Sequence, residues 1–249
     1  MNVLHIALRE LRATYTTAVG WLVLCGWLVI TGLFWRSAVT NYVIESQGAG
    51  YNPYGESMTL GSWVLGPYFG NCAVLLMMVL PAVSMRSFAE EHRQNTLPLL
   101  MTSPVSSLEI TLGKYLGLLA VQALLLLGTL TGPLMLYVWS SPDPGVVFGG
   151  YLALFLLGAG ILAVGMAASS LTSSQLVAFG ISIAVVFALL AVGWLSSEPG
   201  DPMSHLSILS HLTGALEGAV KLSDVVYLVG FAAIFVFATW QRMESFRWQ

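Results

Sequence analysis

The sequence predicts an all-α, polytopic membrane protein with six transmembrane helices. Three observations carry that expectation. Only 8% of the 249 residues are charged, against about 25% in a typical soluble domain, and the mean hydropathy is +0.81. The apolar residues gather into runs of bilayer length. The basic residues segregate between alternate loops, as membrane topology requires.

The runs fall at about 18–35, 63–84, 111–138, 146–168, 175–195 and 225–240. About 20 apolar residues cross the hydrocarbon core as a helix. The first run is too long for a cleavable signal, and Arg36 follows it where small cleavage-site residues would stand. The third run exceeds one crossing, and Gly132-Pro133 near its end predicts a kink or an early exit. Ahead of the first run, residues 3–16 place Leu4, Leu8, Leu11 and Tyr15 at helical spacing, with His5, Arg9 and Arg12 on the polar side. That pattern suits a helix lying in the membrane interface. A helical extension of the first span fits the same residues. Cys25 and Cys72 lie inside runs and read as small hydrophobes rather than a disulfide. With no repeat or low-complexity tract, residues 1–249 read as one transmembrane domain.

With the N-terminus inside, the cytoplasmic side holds Arg9, Arg12, Arg86, Arg93, Lys114, Arg242 and Arg247, and the outer side only Arg36 and Lys221. Both termini are then cytoplasmic. Glu45, Glu56, Asp143, Glu198, Asp201, Glu217 and Asp224 fall outside. Most tryptophans, Trp35, Trp63, Trp139 and Trp240 among them, stand near run ends, where interfacial indoles belong.

This orientation makes residues 85–107 the only sizeable inner loop. Arg86, Glu90, Glu91, His92 and Arg93 crowd its start, and Leu97, Leu99, Leu100 and Met101 follow. The second span is expected to continue as a helix through the charged stretch. Asn95 suits the left-handed conformation that ends a helix, and Thr96 can cap a short second helix. Pro98 is tolerated in a first turn, and Ser103-Pro104 stops the knob. Ser106 and Glu109 have capping-box spacing for the third span. An apolar knob beside a charged helix end reads as a docking surface, or equally as an amphipathic turn in the headgroup layer.

The stretch FAEEHRQNTLPLLMTSPVSSLEITLGKYLG, residues 88–117, resembles the signature of ABC-2 type transporter permeases. The matching positions are Glu90, Glu91, Arg93, Thr96-Leu97, Leu99-Leu100, Thr102-Ser103-Pro104-Val105 and Gly113-Lys114. Asn95 stands where Gly is usual, and Pro98 where an acid is usual. The connection at 169–175 also fits, and residues 209–231 are similar to the outer segment of the gliding-motility-associated and nitrous-oxide-maturation branch. The resemblance implies a coupling helix between spans two and three that fits a groove on a cytoplasmic ATPase. It places Glu90, Glu91, Arg93, Thr96, Leu97, Leu99, Leu100, Met101, Ser103 and Pro104 at that contact. Within the charged turn, Glu90 and Arg93 can meet on one face, and an exposed pair contributes only about 0–1 kcal/mol. Glu91 is therefore expected to face the ATPase and carry signal, and Glu90 to support the loop.

The implied partners are a cytoplasmic ABC ATPase dimer, a second permease copy or a related permease, a periplasmic or outer protein, and membrane lipid; nucleic acid is not among them. The implied setting is the bacterial inner membrane. ATP and magnesium belong to the partner, because no G-x-x-x-x-G-K-[ST] phosphate loop occurs in this chain. No cofactor or metal is expected here. The output is export or force transmission, and the substrate is left open.

Rival readings are weaker. The six span interiors lack ionisable residues, which counts against a proton-coupled secondary transporter and leaves an ATP-independent channel as the alternative. An intramembrane serine protease would use Ser182 of Gly180-Ile181-Ser182-Ile183, but no span supplies a histidine base. Ser182 reads as a packing hydroxyl. His205, His211 and Met203 could suggest a soft-metal site, yet a separation of six does not align the histidines on one helical face. Gly158, Gly160 and Gly165 with Ala159, Ala163, Ala167 and Ala168 give the fourth span a small-residue face, expected to serve packing within the chain.

Overall fold

The computed structural model describes residues 2–48, 60–96, 105–140, 142–195, 214 and 221–246. Among them every regular element is helical, and six helical segments are long and apolar enough to cross a membrane. In chain order they are α1 (Asn2–Thr16), α2 (Ala18–Gly48), a wide π-type turn at Gly61–Leu65, α3 (Gly66–Ser84), α4 (Arg86–Arg93), α5 (Ser107–Thr129), α6 (Thr131–Trp139), α7 (Pro144–Leu171), α8 (Gln175–Leu195) and α9 (Leu222–Ser245).

The helix α1 does not continue straight into α2. A Cβ on Gly20 would stand 2.1 Å from the Thr14 carbonyl oxygen, whereas six residues of straight helix advance about 9 Å. The chain therefore turns sharply at Thr17, and Gly20 supplies the room. Trp21 Nε1 closes this elbow by donating to Tyr15 O at 2.9 Å. Beyond the elbow, α1 lies along the start of α5. Leu4 and Leu8 remain exposed, while Ile6, Leu11 and Tyr15 pack inward.

The first span is longer than its apolar run. At 31 residues α2 measures about 46 Å, well beyond the ~30 Å hydrocarbon core. Hydropathy marks the lipid-facing stretch and not the helix end. Past Trp35, Ala38 stays in the core with Val64 and Leu65, so packing sustains the helix after the lipid match ends.

The hydrogen-bond ladder of the second span is irregular at two places. The π-type turn lies just before Pro67. At the other end Pro81 interrupts the ladder inside α3, and a turn at Met85 separates α3 from the charged α4. The helix does run from the span through the charged stretch, as expected, and only its hydrogen-bond ladder is interrupted at Met85, where the arm α4 begins. The third span also divides, between α5 and α6 at Leu130. Pro133 cannot donate to the Thr129 carbonyl; Tyr68 of α3 does so instead, at 3.4 Å.

The fourth span, α7, is the hub, packing on α3, α5, α8 and α9. Asp143 caps its start, accepting from Gly145 N at 2.8 Å, with Pro144 in the first turn. Its small residues serve contacts within the chain. Cβ atoms on Gly158, Gly160 and Gly165 would meet Gln122 at 2.1 Å, Phe231 at 2.9 Å and Ser84 at 1.8 Å. Side chain to backbone bonds join the spans in the apolar interior: Trp27 Nε1 to Leu125 O at 2.9 Å, Tyr115 OH to Ala159 O at 3.0 Å and Gln122 Nε2 to Phe155 O at 3.0 Å. The second and fourth spans are the most enclosed; the first, fifth and sixth keep most of their surface outward.

Candidate functional site

Among the described residues, one end of the bundle gathers most of the basic side chains: Arg9, Arg12, Arg86, Arg93, Lys114 and Arg242, against Arg36 and Lys221 at the other. At the more basic end the arm α4 meets α1, the start of α5, the end of α7, the start of α8 and the end of α9.

Ser169, near the C-terminal end of α7, sets the origin of the arm. Its Oγ accepts from Phe88 N at 2.9 Å and Ala89 N at 2.8 Å, and donates to Met85 O at 2.8 Å. A side-chain hydroxyl thus enters the backbone ladder at the break, satisfying amides that the turn removes from the regular pattern. Ser84, Ser87, Phe88 and Ala89 are all buried around this pivot.

Asn95 ends the arm. Its φ of 54° is the only positive value outside glycine among the described residues. Asn95 N donates to His92 O at 3.2 Å and Thr96 N to Glu91 O at 3.1 Å, the paired bonds of a Schellman cap. Asn95 therefore fills the backbone role that glycine holds in the resembling sequences. The return to α5 is a capping box: Ser106 Oγ accepts from Glu109 N at 3.2 Å, and Glu109 Oε2 accepts from Ser106 N at 3.0 Å.

Between these two ends lies a buried ion triad. Lys114 is 2% exposed, with Nζ 2.8 Å from Glu91 Oε1 and 3.8 Å from Glu10 Oε2. The same nitrogen donates to Ser87 O at 2.7 Å and lies 5.0 Å from the Phe88 ring centroid. The arm, the third span and the N-terminal helix thus meet on one ammonium group. Close approach is made possible by Gly113 and Gly117. A Cβ on Gly113 would stand 2.7 Å from Ile6 Cβ, and one on Gly117 2.7 Å from Glu10 Cβ, a small-xxx-small groove that seats α1.

Glu91 therefore turns inward, contrary to the expectation that it faces a partner. Helical spacing correctly pairs Glu90 with Arg93, at 3.8 Å, but it does not say which side of the arm packs on the third span. Glu90 is the more outward carboxylate. Its Oε1 accepts from Gln94 at 3.0 Å and its Oε2 from Gln175 of α8 at 3.3 Å. Arg93 is exposed, and Thr96 stays at the cap, its Oγ1 donating to Glu91 O at 3.4 Å. Leu97, Leu99, Leu100, Met101, Ser103 and Pro104 lie outside the described residues, as do His205, His211 and residues 209–213 and 215–220 of the outer segment.

The end of α9 closes the site. Ser107 donates to Glu244, the His92 and Phe246 rings meet edge to face at 5.2 Å, and Arg242 lies 4.8 Å from the Phe246 centroid. Ser87 Oγ, Glu91 Oε2 and His92 Nε2 are buried without a hydrogen-bond partner among the described residues. Residues that sequence reasoning passed over are Glu10, Ser169 and Glu244. For Glu10 a signal existed in the spacing of Gly113 and Gly117, which predicts close helix contact without naming the helix.

The sequence profile described as ABC-2 family transporter protein matches residues 37–213, which takes in spans two to five and the arm. No curated protein matched the chain. With six helices of spanning length and a profile covering more than half its residues, this chain belongs to the ABC-2 transporter family and is a multi-pass membrane component of that kind.

Proposed function

We infer that the chain is the permease subunit of an ABC transporter, a single transmembrane domain working with a separate cytoplasmic ATPase pair that holds ATP and magnesium. The arm and the segment 97–104 form its contact with that ATPase, with Leu97, Leu99, Leu100 and Met101 as the apolar knob. The observation that carries the reading is the Glu91–Lys114–Glu10 triad. A push on the arm reaches the third span and the N-terminal helix through one buried cation.

The mechanism is transmission. ATP-driven closure of the ATPase pair moves the knob, and α4 swings about the Met85 break held by Ser169. Lys114 carries that displacement into α5 and α1. The knob must bind the ATPase differently in its two states, or no equilibrium shifts.

The basic residues at the arm end support a cytoplasmic placement for both termini in a bacterial inner membrane. The permease acts as a homodimer or beside a related permease, in the gliding-motility-associated and nitrous-oxide-maturation branch. Its output is export or force passed to an outer partner. Co-purification with the cognate ATPase tests the assignment: Leu100→Asp puts a carboxylate into the knob and abolishes the complex. An intact complex in that variant removes the docking role, and ATP-independent transport by the purified chain favours the channel reading instead.

A further inference from the structure

The arm end holds a second feature, separate from the triad. Arg86, the first residue of α4, is half-buried, and among the described residues it has no ion pair and no side-chain hydrogen bond. Glu90 lies one turn along the same helix, but its oxygens are engaged by Gln94, Gln175 and Arg93. Arg86 instead lines a cavity of about 200 Å³.

The walls of that cavity come from elements distant in sequence: Thr14 and Tyr15 at the end of α1, Val19 and Val23 past the elbow, Val83 of α3 and Gln175 at the start of α8. It therefore has one cation, a few neutral polar groups and an apolar side. A half-buried guanidinium without a counter-charge is unfavourable unless an anion meets it. Its planar fork matches phosphate oxygens in particular. The apolar side calls for hydrocarbon attached to that anion. Carbonyls at the end of α1, which would repel an anion, are already covered. Thr16 Oγ1 donates to Ala13 O at 3.2 Å, Thr17 Oγ1 to Thr14 O at 2.9 Å and Trp21 Nε1 to Tyr15 O at 2.9 Å. Burial raises the Tyr15 phenol, so its hydroxyl stays a donor. The cavity also lies where the apolar α3 gives way to the charged arm, with Ala82 and Val83 on one side of Met85 and Arg86 on the other.

We propose that this cavity binds the phosphate of an anionic glycerophospholipid, with Arg86 as its charge partner and Tyr15 and Gln175 as neutral hydrogen-bonding groups; the Thr14 hydroxyl is already donated to Glu10 O at 3.1 Å. The lipid fills the angle between the α1–α2 elbow and the origin of the arm, and its acyl chains run along the valines. The site goes beyond the coupling reading and does not depend on it.

The test uses the purified full-length chain, delipidated in detergent, with phosphatidylglycerol and phosphatidylcholine as competing probes and native mass spectrometry as the readout. Phosphatidylglycerol is retained preferentially by the unmodified chain. Arg86→Gln weakens that retention about five- to tenfold, Arg86→Lys by less, and Arg12→Gln, exposed on α1, leaves it unchanged. Melting curves separate binding from folding. Arg86→Gln melts with the unmodified chain in phosphatidylcholine and lacks the upward shift that phosphatidylglycerol gives the latter. Equal retention by Arg86→Gln, or equal loss in Arg12→Gln, overturns the site. Displacement by glycerol phosphate at matched concentration reassigns the cavity to a free phosphate ester and overturns the lipid.

Discussion

Glu91 and Lys114 form a 2.8 Å ion pair that fastens the arm to the third span, and the lysine is 2% exposed. Both residues belong to the stretch that resembles the family signature, 23 positions apart in number, and the fold brings them together. Removing one partner of a buried pair leaves an uncompensated charge, which typically costs about 3–5 kcal/mol. Lys114→Met is therefore expected to lower the thermal stability of the purified protein strongly, by about 3 kcal/mol. Glu91→Gln costs less, because Lys114 keeps Glu10 and the Ser87 carbonyl. The double variant Glu91→Gln with Lys114→Met costs less than the sum of the two single changes. Detergent melting curves of the three variants check the ordering; strictly additive losses contradict the pairing.

Ser169 is expected to hold the arm rather than the span. Ser169→Ala deprives two buried amides of their acceptor, at about 1–3 kcal/mol. Hydrogen exchange at Phe88 and Ala89 should accelerate, while exchange in the middle of α7 is unchanged. Ser169→Thr keeps the hydroxyl and should exchange more slowly than the alanine variant.

Asn95 is open to a one-residue test. With φ at 54°, glycine is expected to be neutral or mildly stabilising, and a β-branched residue to lose about 1–2 kcal/mol. Melting of Asn95→Gly and Asn95→Val checks the sign of each.

The seat of α1 depends on two glycines. Gly117→Leu drives a side chain into Glu10 Cβ and should displace α1, seen as protease cleavage near Thr17 in micelles. Gly180→Leu, where no atom lies within 4 Å of a Cβ, should leave cleavage unchanged.

Much of this was legible in the chain. Run length yields six spanning helices because backbone satisfaction in lipid admits only closed ladders. Asn95 and the Ser106–Glu109 box were legible because capping is local. The remainder depends on tertiary neighbours. The Met85 break needs Ser169, which arrives from more than eighty residues away and has no local signature. The inward turn of Glu91 needs Lys114, and spacing along α4 alone cannot choose between Glu90 and Glu91. The extension of α2 to Gly48 was hidden because hydropathy ends at Trp35 while core packing at Ala38 does not.

Orientation has its own measurement. In a background with Cys25 and Cys72 replaced, a cysteine at Ser46 should react with impermeant maleimide in spheroplasts. Cysteines at Gln94 and Ser245 should react only after lysis. All three positions are exposed, whereas Ser87 is buried and unsuited to labelling. Labelling of Gln94 from outside reverses the topology.

The central claim is that movement of the arm reaches the N-terminal helix through Lys114. Spin labels on exposed Leu8 of α1 and Val177 of α8, in the assembled complex with its ATPase, measure this by pulsed dipolar spectroscopy with and without ATP. The account predicts an ATP-dependent change in the Leu8–Val177 distance that is lost in Glu91→Gln while the complex and ATP hydrolysis persist. An undiminished change in Glu91→Gln, or no change with ATP in the unmodified complex, contradicts it.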